Sequence, residues 1–143
     1  MKYAICLSIL CTFVGCSQST RISGTVRFDD GTPITQGSVV FNSSTESFFG
    51  TITSAGRYTT GGEKIKQGIP DGAYTVWLSG TETSNNTLGG EGNVVSYTVT
   101  RPVAAAFTSP STSPLKFEVK KGGSKTFDVV VERNPALKSD SPP

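Results

Sequence analysis

The chain is patterned as a series of short runs in which apolar and polar residues alternate, each cut off by Gly, Pro, Asp or Asn. A period of two puts successive side chains on opposite faces of a strand, and runs this short leave no room for helices of ordinary length. In the first run Ile22, Gly24, Val26 and Phe28 face one way, and Ser23, Thr25 and Arg27 the other. Asp29-Asp30-Gly31, with Pro33 after it, makes a turn. Residues 37–42 form a second strand with Val39 and Phe41 on one face. Residues 48–53 form a third, and Ser54-Ala55-Gly56 turns into a fourth at residues 57–60. A polar loop at 61–68 leads to Ile69-Pro70-Asp71-Gly72, a sharp turn into residues 73–79, where Tyr74, Val76 and Leu78 alternate with Ala73, Thr75 and Trp77. Gly37 and Gly72 suit turns that need positive φ.

The later part reads less regularly. Residues 80–93 carry one apolar side chain, Leu88, and read as a long flexible loop, either functional or disordered. A strand is expected at 94–99, and an irregular, Pro-punctuated stretch at 101–114. Residues 115–119 and 126–132 read as a final strand pair joined by Lys120-Lys121-Gly122-Gly123, with Phe127, Val129 and Val131 on one face. Thr, Val, Phe and Tyr favour strands. The expected fold is all-β, a single β-sandwich of about seven strands, followed by a disordered tail at 134–143.

The N-terminus has a different logic. Lys2 and the α-amino group precede a 12-residue apolar run from Tyr3 to Val14, interrupted only by Ser8 and Thr12. A membrane-spanning helix needs roughly 20 residues, whereas the apolar core of a signal peptide takes about 7–15. The run ends in Phe13-Val14-Gly15-Cys16, which resembles the lipobox of bacterial lipoproteins. That resemblance implies cleavage before Cys16, where small Gly15 lets the peptidase in, and lipidation of the Cys16 thiol. Cys6 and Cys11 fall in the discarded segment, so Cys16 is the one thiol left in the mature chain. A single acyl chain binds a membrane only marginally, and lipoprotein cysteines carry more than one. Ser17, where Asp would retain a lipoprotein in the inner membrane, implies the outer membrane by the same resemblance. The expected organisation is a signal peptide at 1–15, a lipidated tether at 16–21, a β-sandwich domain at 22–133 and the tail. The tether residues 17–21 reach at most roughly 17 Å.

Composition excludes several functions. The chain has 13 basic and 11 acidic side chains, a net charge of +2, and the basic residues are scattered along the sequence, which gives no reason to expect nucleic acid. It has no histidine. Ser-His-Asp and Cys-His catalysis and His-ligated zinc are therefore out of reach. Asp29 and Asp30 lack the alternating acidic spacing of a calcium loop, and Gly61-Gly62-Glu63-Lys64 and Gly89-Gly90-Glu91-Gly92 lack phosphate-cradling spacing.

The order of pieces at 22–26 (ISGTV), 33–41 (PITQGSVVF), 55–58 (AGRY) and 69–76 (IPDGAYTV) resembles the transthyretin-like, carboxypeptidase-regulatory-like β-sandwich. The stretch from Phe107 through Val119 and the GGSKTFD run at 122–128 is similar to small lipoproteins of planctomycete bacteria. These motifs imply a prealbumin-like fold, with the Tyr74 ring buried and its hydroxyl reaching backbone. The transthyretin-like hydroxyisourate hydrolases depend on histidines, which this chain lacks. Related pilin and adhesin domains carry Lys–Asn isopeptide bonds, for which Lys116, Lys125 and Asn134 are the residues to examine.

The expected function is that of a non-enzymatic, membrane-anchored envelope module that binds or scaffolds, held by lipid on Cys16, with an envelope protein or a glycan as partner and no cofactor or metal. Trp77, Phe48 and Phe49 form the candidate binding surface. Alternation puts Trp77 on the face opposite Tyr74, Val76 and Leu78, where an indole either stacks on a sugar or packs beneath the following loop. The alternative is a carboxylate-based envelope hydrolase acting on glycans, which needs two acidic side chains about 5–10 Å apart.

Overall fold

The computed structural model describes residues 19–61, 68–88, 90, 94–123 and 125–140. The segment read as a signal peptide, Cys16 and most of the loop expected at 61–68 lie outside the described residues. The described chain is all β apart from short 3-10 turns. Its strands are β1 (Ser23–Phe28), β2 (Ser38–Asn42), β3 (Ser47–Ile52), β4 (Arg57–Thr60), β5 (Gly72–Ser79), β6 (Thr83–Leu88), β7 (Val94–Thr100), β8 (Lys116–Val119) and β9 (Val129–Val131). Seven of them make one sheet in the order β8-β5-β2-β3-β4-β1-β9, and β6 and β7 make a second, two-stranded sheet. All neighbours in the large sheet are antiparallel except β1 and β9, which run parallel.

The alternation read from the sequence is the alternation of burial. Along β5 Tyr74, Val76 and Leu78 are buried, and Ala73 on the opposite face is exposed. Val26, Val39, Phe41, Tyr58, Val129 and Val131 point into the same interior. Fully burying side chains of this size contributes roughly 1.5–3 kcal/mol each. Phe41 sits at the centre, edge-on to Tyr74, Phe117 and Phe127 at centroid distances of 6.4, 6.1 and 6.3 Å. Phe117 lies in β8 and Phe127 just ahead of β9, at opposite ends of the sheet order, yet their rings are 4.6 Å apart. The sheet therefore curls round until its two edges face each other across the core, giving a sandwich-like body from one sheet.

The polar groups inside are satisfied locally. The Tyr74 hydroxyl donates to the Pro70 carbonyl at 2.8 Å, the backbone reach expected of it. The Ile22 N–H donates to Thr60 Oγ1 at 2.9 Å in the buried start of β1. Gly37 has φ +100°, and a Cβ there would stand 2.5 Å from the Ser79 carbonyl oxygen, so the turn into β2 requires glycine. Gly72 sits at φ +159°, close to extended, with no contact nearer than 3.7 Å.

Three sequence expectations are corrected. First, residues 115–119 and 126–132 do not pair with each other: β8 joins β5 and β9 joins β1. The short Lys120–Gly123 connection suggests a hairpin, but the two strands sit at opposite ends of the sheet order, with the Phe117 and Phe127 rings 4.6 Å apart. Gly24 makes the β1–β9 approach possible, since a Cβ there would stand 2.0 Å from the Phe127 carbonyl oxygen. Second, the stretch 80–93 contains β6, whose partner β7 runs antiparallel to it from Thr83↔Thr100 to Leu88↔Val94 with one irregularity. Polar Thr-Ser-Asn-Asn-Thr reads as loop because it has no apolar alternation, and Thr83, Ser84 and Asn85 are exposed. Third, residues 135–140 of the expected tail form a 3-10 helix. Asn134 starts it, accepting the Ala136 N–H at 3.1 Å and donating through Nδ2 to the Arg101 carbonyl at 3.0 Å.

Candidate functional site

The strands give the body two poles. Thr20 and Ile69 exchange backbone hydrogen bonds at 2.8 and 2.7 Å, so the chain is joined to the body four positions after Cys16, at the pole where β1 and β5 start. β5 is eight residues long and carries the backbone about 26 Å to the opposite pole. There Ser79-Gly80 leads through buried Thr81 into β6. The Gln36 side-chain amide donates to the Glu82 carbonyl at 2.7 Å and to the Thr81 carbonyl at 3.4 Å, which holds the root of the β6–β7 ribbon against the body. Beyond the root, Asn85 and Thr98 on one face of the ribbon and Ser84 and Tyr97 on the other are exposed, Tyr97 at 65 %. Neither Gln36 nor Tyr97 stands out in the sequence, because each owes its place to a ribbon half of which, β6, reads as polar loop.

The three aromatic residues expected to form one surface are divided by the pleat. Phe48 points inward, half-buried against the core and edge-on to Tyr74 at 6.0 Å. Phe49 and Trp77 point outward, one on each side of Val40 in the register Phe49↔Val40↔Trp77. Phe49 is 56 % exposed, whereas Val40 is buried although it faces away from the core. The irregular segment 101–115 covers this part of the outer face. Ser113 Oγ donates to the Val76 carbonyl, and the Val76 N–H donates to the Leu115 carbonyl at 2.9 Å. Trp77 is half-buried beside a cavity of about 180 Å³ shared with Thr81, Arg101, Thr108 and Asn134. Its Nε1–H is shielded from water and has no hydrogen-bond partner. The indole thus packs beneath covering chain and does not offer a flat stacking face.

The neighbouring row on the same face is polar and open. Ser47, Asn42, Thr75 and Lys116 lie in register across β3, β2, β5 and β8. The Ser47 hydroxyl donates to Asn42 Oδ1 at 2.6 Å, and Lys116 Nζ donates to Thr75 Oγ1 at 2.8 Å. A shallow groove of about 600 Å³ runs over this row, between Ser43-Ser44 and Glu118. Lys116 and Asn134 are not brought together: Lys116 is in this row, Asn134 at the ribbon pole beside Arg101.

The described carboxylates are surface groups, and two of them, Glu46 and Asp71, act on one hydroxyl, that of Tyr74. Asp29, Asp30, Glu46, Asp71, Glu82, Glu118, Asp128 and Glu132 are all exposed. The groove holds Glu118 and the Trp77 cavity holds Glu82, one acid each. Where a carboxyl is perturbed it is held low, the opposite of what a general acid needs. Asp30 is held well below its ordinary range by hydrogen bonds from Thr32 and Arg133, and Asp128 by hydrogen bonds from Thr25. No group of three or more His, Cys, Asp or Glu side chains stands close enough to hold a metal among the described residues.

No family model and no curated protein matches this sequence. Among solved structures, the crystal structure of a variant of the major pilin subunit of Bacillus cereus aligns with 82% of this chain at 13% identity and a TM-score of 0.40. The chain spans 30% of that pilin's length.

Proposed function

We propose that this chain is a non-enzymatic module of the cell envelope, anchored to a membrane by lipid on Cys16, most simply the outer membrane given Ser17, and holding a partner at the pole far from the anchor. The placement of the two chain features carries the reading: the segment from Cys16 enters at one pole and the β6–β7 ribbon leaves at the other. From Cys16 to Thr20 the chain reaches at most about 14 Å, so the body stands close to the membrane with its ribbon directed away from it. The carboxylates are exposed, and those that are perturbed are held low, which favours binding or scaffolding over glycan hydrolysis.

Two measurements test this. Cys16→Ala abolishes labelling by a fatty-acid analogue and releases the protein from membranes; unchanged labelling overturns the anchor. Affinity capture from detergent-solubilised membranes retains a second polypeptide above background. Failure to retain any protein, together with no glycan bound on an array, overturns the binding role.

A further inference from the structure

We propose that the β6–β7 ribbon is a homotypic docking arm, which adds edge-to-edge onto the ribbon of a second copy of this chain. The inference deepens the binding reading above by naming the partner.

The ribbon is incomplete as a structural unit. Two strands alone are marginally stable in water, and a third or fourth is what gives such a sheet independent stability. Among the described residues β6 and β7 pair only with each other, and the side chains of Ser84, Asn85, Ser96, Tyr97 and Thr98, from both faces, are exposed. The outer edges of both strands therefore present backbone donors and acceptors that an added strand would satisfy.

The edges of the body are guarded in the usual ways and those of the ribbon are not. Edge strand β8 carries Lys116 and Glu118 pointing outward, with Lys120 paired to Glu118 at 3.1 Å. Edge strand β9 is only three residues long. Charge and shortness are how sheets keep other strands away. Neither Thr83–Leu88 nor Val94–Thr100 contains Lys, Arg, Asp, Glu or Pro. β7, with three valines, two threonines and a tyrosine in seven residues, is the more strand-prone of the two.

A second copy fits this edge better than a foreign strand. Two identical strands placed antiparallel are related by a two-fold axis, so every contact is made twice and the pair closes on itself. An uncharged edge puts no like charges opposite each other in that arrangement. It also carries none of the charge pattern by which a surface selects a different protein.

The test uses the full-length chain in the membranes of cells that make it. A photo-crosslinking amino acid is placed in turn at Ser84, Asn85, Ser96, Tyr97 and Thr98, and at Thr59 on the outer face of the body as a control. The expected result is an adduct of twice the chain's mass, containing only this chain, from at least one ribbon position and not from Thr59. Ser96→Lys with Thr98→Lys, which guards the edge of β7, lowers the yield at least about tenfold, equivalent to 1.4 kcal/mol, while circular dichroism and melting of the body stay unchanged. Adducts from the ribbon that contain a different protein overturn the homotypic assignment and leave the binding role standing. Absence of any adduct at all five positions, or a dimer yield indifferent to the two lysines, overturns the inference.

Discussion

The Tyr58 hydroxyl donates a 2.6 Å hydrogen bond to the backbone carbonyl of Phe127, tying β4 to the segment that leads into β9 from the other side of β1. The donor and acceptor are 69 positions apart in sequence. The same carbonyl faces Gly24, so one oxygen marks where the closing strand settles on the sheet.

Tyr58→Phe keeps the ring and leaves that carbonyl without its partner. Unsatisfied buried groups cost about 1–3 kcal/mol, and chemical denaturation should show a loss in that range. Burial, with Asp128 nearby, pushes the Tyr58 hydroxyl above its ordinary pKa. The folded state thus keeps this proton to higher pH than the unfolded chain does. Its contribution is complete below about pH 10, the unfolded value, and declines as pH rises beyond that. The stability difference between the wild type and Tyr58→Phe should narrow above that pH. A difference independent of pH through the alkaline range would contradict the shift.

Gly24→Ala places a methyl where the Phe127 carbonyl oxygen stands, 2.0 Å away. The obstacle is backbone, so it cannot rotate aside. A cost of about 3 kcal/mol or more is expected, at the upper end of overpacking. The loss should appear as earlier melting, with hydrogen exchange accelerated first in β9.

Phe49 and Trp77 flank Val40 yet should respond in opposite ways. Phe49→Ser alters an exposed side chain and should leave stability within about 0.5 kcal/mol. Trp77→Ala opens space beneath residues 101–115 and should cost about 2 kcal/mol or more. Trp77→Phe should cost distinctly less than Trp77→Ala, because the indole N–H it removes makes no hydrogen bond. Thermal melts of the three variants decide this.

The strands that enter the core are legible in the sequence because burial and alternation are the same fact seen twice. Ile22, Val26 and Phe28, or Tyr74, Val76 and Leu78, can be assigned a common face from spacing alone. Strand partners are a different matter. β9 lies beside β1 in parallel, about a hundred positions away, and the only local trace of that is the bare backbone of Gly24. Phe48 and Phe49 show the same limit: adjacency says they face opposite ways, but not which one the core receives. β7 is legible as a strand at 94–99, but its partner β6 is not, since Thr-Ser-Asn-Asn-Thr has no apolar period to display. The segment over Val40 and Trp77 is held by hydroxyl-to-backbone bonds such as that of Ser113, and Ser in a Pro-rich stretch looks the same whether or not it is buried.

At the ribbon pole, Arg133 joins two contacts. Its guanidinium lies 4.0 Å from the centre of the Phe28 ring, and its Nε is 2.8 Å from Asp30 Oδ2. Asp30 is held below its ordinary pKa, so its contribution to stability is present above about pH 4, the unfolded value, and is lost as pH falls below it. Asp30→Asn should flatten the acid side of the stability–pH curve between pH 4 and pH 2 relative to wild type. Superimposable curves would remove Asp30 from the acid response.

The two poles also decide how the domain bears load. A pull between Cys16 and the ribbon enters through the start of β1 and leaves through the end of β5, and between them lie β4, β3 and β2, all lying along the line of force. Ladder hydrogen bonds run perpendicular to their strands, so such a pull strains a whole ladder at once in shear and cannot open it bond by bond like a zip. The arrangement suits a part that transmits tension lengthwise, and it would yield far more readily to a force applied across the strands, peeling β8 from β5.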